Sequence, residues 1–386
     1  MKTIKVGVIG TGFSASFHLE SLRRLPDIEV IAIAGSSADK AKELAEQYRV
    51  PNYYGDYQDL IAHPDVEVIH NCTPNYLHFE INKAVIQSGK NLLSEKPLAM
   101  NAEESAELVR LAERSQSVTG VCFNYRHFPM VMQARGMIQS SKYGKPHLVF
   151  GSYLQDWLLF DTDYSWRLET EKNGASRAVA DIGSHWCDTV QFVLGRRITE
   201  VFADLKTVHS IRRKPLEEGA TFSGAAEEEE REAKDISTED CGSILIHLEG
   251  GVTGVFTVSQ VSAGRKNKLQ FEVSTSESSF YWDQENPNKL WEGKRDQANS
   301  LLMRDPTLLS SKAAMLAHFP GGHEEGWPDG MKNLLIDYYN EVKRKRYKEP
   351  IRGIPQFASL EEGHHIMKVI DAVLRSDREQ RWVKVE

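Results

Sequence analysis

The sequence predicts an α/β protein in two parts: a doubly wound parallel sheet at the N-terminus, then an α/β domain with a large open, mostly antiparallel sheet. Three observations predict it. A glycine turn joins an apolar run to a helical stretch at the start of the chain. Strand-like and helix-like segments then alternate as far as Asn124, and beyond it alternating, β-branched segments accumulate instead. At 386 residues the chain exceeds what one hydrophobic core usually holds, so two domains, 1–124 and 125–386, are expected.

The first strand is Ile4 to Ile9. It breaks at Gly10-Thr11-Gly12, and helical spacing of Phe17, Leu19, Leu22 and Leu25 follows. Gly10 permits the turn, Gly12 leaves room for a pyrophosphate, and Ala15 lets the helix pack close to the strand. Phe13 and Ser14 belong to the same cradle, where the helix N-terminus points free N–H groups at an anion. This is the dinucleotide-binding pattern of a Rossmann domain, and a second strand, Glu29 to Ala34, follows at the right distance. An acidic residue usually comes next and binds the ribose hydroxyls. Here Ser36 and Ser37 stand in its place, with Lys40 a turn later. Two hydroxyls and a cation suit a 2′-phosphate, so NADP is expected in preference to NAD.

Ala38 to Gln47 reads as a helix, and Val66 to Cys72 as a strand stopping at Thr73-Pro74-Asn75. Ligands bind at the carboxyl ends of such strands. Cys72, Thr73, Pro74, Asn75 and His78 are therefore expected beside the cofactor, His78 as a structural or cofactor-side donor. Ile81 to Ser88 is helical, and Lys90 to Ser94 is a strand ending at Glu95-Lys96-Pro97. Lys96 should project into the same crevice, where a desolvated amine can hold a hydroxyl and lower its pKa. Glu103 to Ser115 and Val118 to Phe123 complete this half as helix and strand.

After a helix over Met132 to Ser140, strands are expected at His147 to Leu154, Ile198 to Val208, Gly242 to Leu248, Val252 to Val261, Lys268 to Ser274 and Ser279 to Trp282. An open sheet must cover its second face or pair it with another copy, so a homo-oligomer, dimer or tetramer, is expected. The stretch Arg212 to Asp240, with its acidic run Glu227 to Glu230, reads as a solvated loop. Two last helices, Asn333 to Lys345 and Leu360 to Ser376, are expected to brace the first domain.

Asp181-Ile182-Gly183-Ser184-His185-Trp186-Cys187-Asp188 opens a further helix. Asp181 and His185, four apart, share one helical face, and Asp188 is placed to orient the imidazole. Oxidising an alcohol needs a base for the O–H proton, and histidine titrates in the useful range. A metal site would need a third ligand, and none has convincing spacing, so no metal is expected. Asp181 as helix N-cap with His185 as a packed ring is the structural alternative.

A net charge of -8, with no compensating basic stripe, argues against nucleic acid. The basic runs Arg212 to Lys214 and Lys343 to Lys348 read as solvated faces. Four scattered cysteines give neither a disulfide framework nor a zinc site and read as buried, reduced thiols. The chain opens directly on a strand, and no apolar run approaches membrane-spanning length. A cytoplasmic protein is expected.

The set GTGFSA, CTPNYLH, SEKPLA, WRLE at Trp166 to Glu169 and DIGSHWCD, in order along nearly the whole chain, resembles the NAD(P)-dependent oxidoreductases typified by glucose-fructose oxidoreductase and inositol 2-dehydrogenase. The resemblance implies a catalytic set of Lys96, Asp181 and His185. His185 would be the general acid/base, Asp181 would bind substrate or adjust His185, and Lys96 would grip the reacting hydroxyl. It implies also that Trp166 and Arg167 lie near the nicotinamide, and that Tyr125 and Arg126 lie at the domain junction beside the cleft. Asp156 and Trp157, whose aromatic and carboxylate groups suit a sugar ring, and His323 are further candidates for substrate binding. The expected reaction moves a hydride between NAD(P) and a secondary alcohol or ketone of a sugar, inositol or related cyclic polyol. An NAD-dependent glycosidase using transient oxidation, or a non-catalytic dinucleotide sensor, remains the alternative.

Overall fold

A computed structural model describes residues 3–216, 230–350 and 354–386. The chain divides into two compact units, Met1–His127 with Trp327–Met367, and Phe128–Gly326 with Lys368–Glu386.

The first unit is built on six parallel strands, β1 (Ile4–Ile9), β2 (Ile28–Ala34), β3 (Asn52–Tyr54), β4 (Val68–Asn71), β5 (Asn91–Ser94) and β6 (Thr119–Val121), in the order β3-β2-β1-β4-β5-β6. Helices α1 (Phe13–Leu22), α2 (Ala38–Gln47), α3 (Tyr57–Ala62), α4 (His78–Gln87) and α5 (Ala102–Glu113) connect them. Strand order reverses between β1 and β4, which opens a crevice at the strands' carboxyl ends. The long helix Trp327–Tyr347 adds Met331, Leu334, Leu335, Tyr338 and Tyr339 to the core formed by Val6, Val8, Leu19, Leu22 and Ile33. β3 and α3, at three and six residues, are too short for a periodicity to announce them.

The second unit holds a nine-stranded sheet. Its strands are β7 (Pro146–Leu154), β8 (Ile198–Lys206), β11 (Cys241–Leu248), β12 (Val252–Ser259), β13 (Lys268–Thr275), β14 (Ser279–Asp283), β15 (Lys289–Gly293), β16 (Ser300–Met303) and β17 (Val383–Lys384), and between β8 and β11 a separate hairpin pairs β9 (Ile211–Pro215) with β10 (Arg231–Asp235). The large sheet runs β16-β15-β14-β13-β7-β12-β11-β8-β17, and all its neighbours are antiparallel except β7 with β12. One face packs on the helices Pro129–Ile138 and Ser184–Leu194. There Trp186 stacks on Phe256 at 4.4 Å and donates its indole N–H to the Gln270 carbonyl at 2.9 Å. Gly151 makes that fit possible, because a Cβ at its position would come within 2.7 Å of the Trp186 nitrogen.

The hairpin β9–β10 corrects the reading of Arg212 to Asp240 as one solvated loop, although residues 217–229 lie outside the described residues. Arg212 is likewise no solvated residue: strand alternation turns it inward, fully buried, where it pairs with Asp240 at 2.7 Å. Cys72, Cys122 and Cys187 are buried free thiols, whereas Cys241 is only partly covered. Among the described residues, no helix is long and apolar enough to cross a membrane.

Candidate active site

In the first unit the glycine turn has the geometry its residues require. Gly10 has φ +121°, and a Cβ there would lie 2.5 Å from the Cys72 carbonyl oxygen. Gly12 caps α1 with no side chain bonded to the helix N–H groups, and a Cβ there would meet nothing within 4 Å. Space and unsatisfied donors coincide, which suits a pyrophosphate. Ala15 is buried against the sheet, Ser14 is half-buried, and the half-exposed Phe13 stacks on Phe17 and Trp327 at 6.4 and 6.3 Å. Beyond β2, Ser36 and Lys40 are exposed, while Ser37 caps α2 by accepting the Lys40 backbone N–H at 3.3 Å.

Beyond β4, Cys72 backs on Gly10, and Thr73 donates its hydroxyl to Asn71 at 2.7 Å. Pro74 is half-buried and Asn75 buried. His78 is buried with Nδ1 2.6 Å from the Pro97 carbonyl and Nε2 2.8 Å from the Thr73 carbonyl. It therefore joins the loops that follow β4 and β5. Burial lowers its basicity, and the two carbonyls offset this only in part.

Lys96, half-buried at the carboxyl end of β5, follows Glu95, whose Oε2 accepts the Lys96 backbone N–H at 3.1 Å. The other oxygen of Glu95 meets His18 Nε2 at 2.9 Å. Burial alone would raise the Glu95 pKa, but His18 and the Lys96 charge outweigh it and hold the carboxyl at about 2. Behind Glu95 runs a buried chain: His18 Nδ1 lies 2.7 Å from His70 Nδ1, and His70 Nε2 lies 2.8 Å from the Tyr339 hydroxyl. His18, Glu95 and Cys122 bring one donor atom each within 4.8 Å of one another. The His18–Glu95 hydrogen bond accounts for that closeness, and burial pushes the Cys122 thiol well up. Tyr125 and Arg126 are buried inside this unit, Arg126 pairing with Glu362 at 2.8 Å.

In the second unit Asp181 lies in a π turn, Val179–Gly183, which leads into the helix Ser184–Leu194 carrying His185. The π turn widens the spacing expected of a regular α-helix, and Asp181 does not cap it. The Asp181 carboxylate accepts the Gln260 amide N–H at 2.8 Å, and Arg167 Nε lies 3.8 Å from its other oxygen. The Arg167 guanidinium lies over the Trp166 ring at 4.5 Å, so this pair stands beside Asp181. His185 is buried, its ring 6.2 Å from that of Tyr153. Asp156 accepts from the Gly264 N–H at 3.0 Å and Lys266 at 2.7 Å, and Trp157 donates to Gln155 at 2.9 Å. His323 is exposed, and its carbonyl accepts from Arg304.

Sequence reading missed His18, His70 and Tyr339 behind Glu95, and Gln260 and Arg177 behind Asp181. Arg177 donates to Gln260 at 2.8 Å and to Asp240. These partners are 52 to 269 positions apart, so no motif spacing could find them.

Residues 4–123 match the model of an oxidoreductase family with an NAD-binding Rossmann fold, and residues 131–281 match the GFO/IDH/MocA C-terminal domain. Levoglucosan dehydrogenase of Pseudarthrobacter phenanthrenivorans is 29% identical over 400 residues, covering 100% of this chain and 99% of its own. Inositol 2-dehydrogenase/D-chiro-inositol 3-dehydrogenase of Lactiplantibacillus plantarum is 29% identical over 48% of this chain and 50% of its own. A solved levoglucosan dehydrogenase in complex with NADH and L-sorbose superposes with TM-score 0.88 at 25% identity, covering 100% of both chains.

Proposed function

Because the chain belongs to the GFO/IDH/MocA family of oxidoreductases with an NAD-binding Rossmann fold, we propose that it moves a hydride between a nicotinamide dinucleotide and a secondary alcohol or ketone of a sugar, inositol or related cyclic polyol. The observation that carries this reading is the end-to-end similarity to levoglucosan dehydrogenase. On this reading residues 1–124 hold the dinucleotide, residues 125–386 hold the substrate, and the enzyme works in the cytoplasm, where its free thiols stay reduced.

The Gly10–Ala15 cradle takes the pyrophosphate, with Thr73, Pro74, Asn75 and the Trp166–Arg167 pair further along the dinucleotide. Ser36 and Lys40 favour NADP, since a hydroxyl at Ser36 stands where a carboxylate would repel a 2′-phosphate. When bound, the nicotinamide accepts or supplies the hydride. In the oxidative direction His185 takes the hydroxyl proton, Lys96 stabilises the negative charge developing on that oxygen, and Asp181 orients substrate or imidazole. Fluorescence titration with NADH and NADPH, then a panel of sugars and inositols followed by nicotinamide absorbance, tests the reading. Net glycoside cleavage without release of reduced cofactor would replace it by the glycosidase alternative.

The open face of the large sheet is assigned to pairing with a second copy. The strand registers align Phe202, Leu245, Val255, Phe150, Glu272, Tyr281, Trp291 and Leu301 in one row across eight strands of that face. Only one of these is charged, and burial already raises the Glu272 pKa. Such a row suits sheet-to-sheet packing.

A further inference from the structure

We infer that Gln260 is a positioning residue for Asp181, and that the buried Arg177 decides which end of the Gln260 amide meets the carboxylate. The inference rests on the redox reading above and deepens it.

Gln260 follows β12 and is fully buried, as is Arg177. Its Oε1 accepts from Arg177 Nη1 at 2.8 Å, and its Nε2 donates to Asp181 Oδ2 at 2.8 Å. An amide offers a donor end and an acceptor end of nearly the same shape. Here the ends cannot be exchanged, because a guanidinium only donates and so demands the carbonyl oxygen. The amino end is left for Asp181, and a donor facing Oδ2 needs that oxygen to carry no proton. Asp181 is thereby held as an aimed carboxylate, ready to accept a hydrogen bond from a substrate hydroxyl or from His185.

Arg177 is itself held fast. Its Nε donates to Thr238 at 3.3 Å and its Nη2 to Asp240, which also pairs with Arg212. Arg212 in turn donates to the carbonyls of Leu158 and Phe160, which follow the candidate sugar loop residues Asp156 and Trp157 in the same segment. Glu239 lies alongside, accepting from Ser176 and from the Arg177 and Val179 N–H groups. The charged and titratable groups around Asp181 include Arg167 on the Trp166–Leu168 turn, His185 on its own segment, and Arg177, Glu239, Asp240 and Arg212 behind Gln260.

Gln260→Glu keeps the size and still accepts from Arg177, but turns an oxygen towards Asp181. We expect kcat at neutral pH to fall about tenfold or more with KM changed less than about threefold, and the acid limb of the pH profile to move up by about one unit. In an Asp181→Asn background the same change should cost less than about twofold, because the new carboxylate then meets an amide donor. An infrared titration of the Asp181 carboxyl, assigned by its loss in Asp181→Asn, needs no turnover and should move up in Gln260→Glu. An unmoved titration, or losses that multiply in the double variant, would overturn the inference. If near-ultraviolet dichroism shows Gln260→Glu unfolded, Gln260→Asn, which withdraws the amide, serves in its place: an upward Asp181 titration supports the inference and an unmoved one overturns it. A protein inactive on every sugar would remove the proposed function, and the infrared titration would still decide the role of Gln260.

Discussion

His18 and His70 face each other Nδ1 to Nδ1 at 2.7 Å, so a single proton serves both nitrogens. His70 Nε2 lies 2.8 Å from the Tyr339 hydroxyl and His18 Nε2 lies 2.9 Å from Glu95, so the four groups form one buried hydrogen-bonded chain. Burial, then the neighbouring His18, pulls the His70 pKa well down, and burial pushes the Tyr339 phenol well up, so His70 stays neutral and Tyr339 protonated. The chain ends on a carboxylate that also holds the Lys96 backbone.

That arrangement predicts an acid dependence of stability. Glu95 is held at about 2 against an ordinary 4.5. A depressed carboxyl contributes stability that is present above its unfolded value and is lost as pH falls through its folded value. Glu95→Gln should be less stable than the wild type by about 1–3 kcal/mol at neutral pH. In urea unfolding that difference should shrink as pH falls from 4.5 towards 2. A difference independent of pH would show that Glu95 is not so paired.

Lys96→Ala and His185→Ala should each lower kcat about 100-fold or more while leaving dinucleotide affinity within a few-fold. Loss of NADH or NADPH binding alone, with kcat kept at saturation, would assign these side chains to the cofactor instead.

Ser36→Asp should shift cofactor preference towards NAD, by about tenfold in the ratio of dissociation constants, because a carboxylate repels the 2′-phosphate and binds the ribose hydroxyls. An unchanged NADH to NADPH ratio in fluorescence titration would show that the adenosine end lies elsewhere.

Phe150→Glu with Leu245→Glu places two charges in the outward row of the large sheet, where both residues are partly exposed. Light scattering should report an oligomer for the wild type and a monomer for this variant, with the far-ultraviolet dichroism unchanged. A monomeric wild type would refute sheet-to-sheet assembly.

The sequence by itself determined the strand–turn–helix at Gly10 to Ala15, the alternation that builds the parallel sheet, and the large-sheet strands β7, β8 and β11 to β14, because hydrophobic period and turn chemistry are local. Its motifs also singled out Glu95-Lys96-Pro97 and Asp181 to Asp188. Only the tertiary structure decided that Arg212 lies inside rather than on a solvated face, that His78 is spent on two backbone carbonyls, and that Gln260 stands between Arg177 and Asp181. Those partners meet because separate strands and turns deliver them to one buried place. A buried polar group takes whichever partner the fold brings within hydrogen-bond reach, and linear spacing carries no trace of that choice.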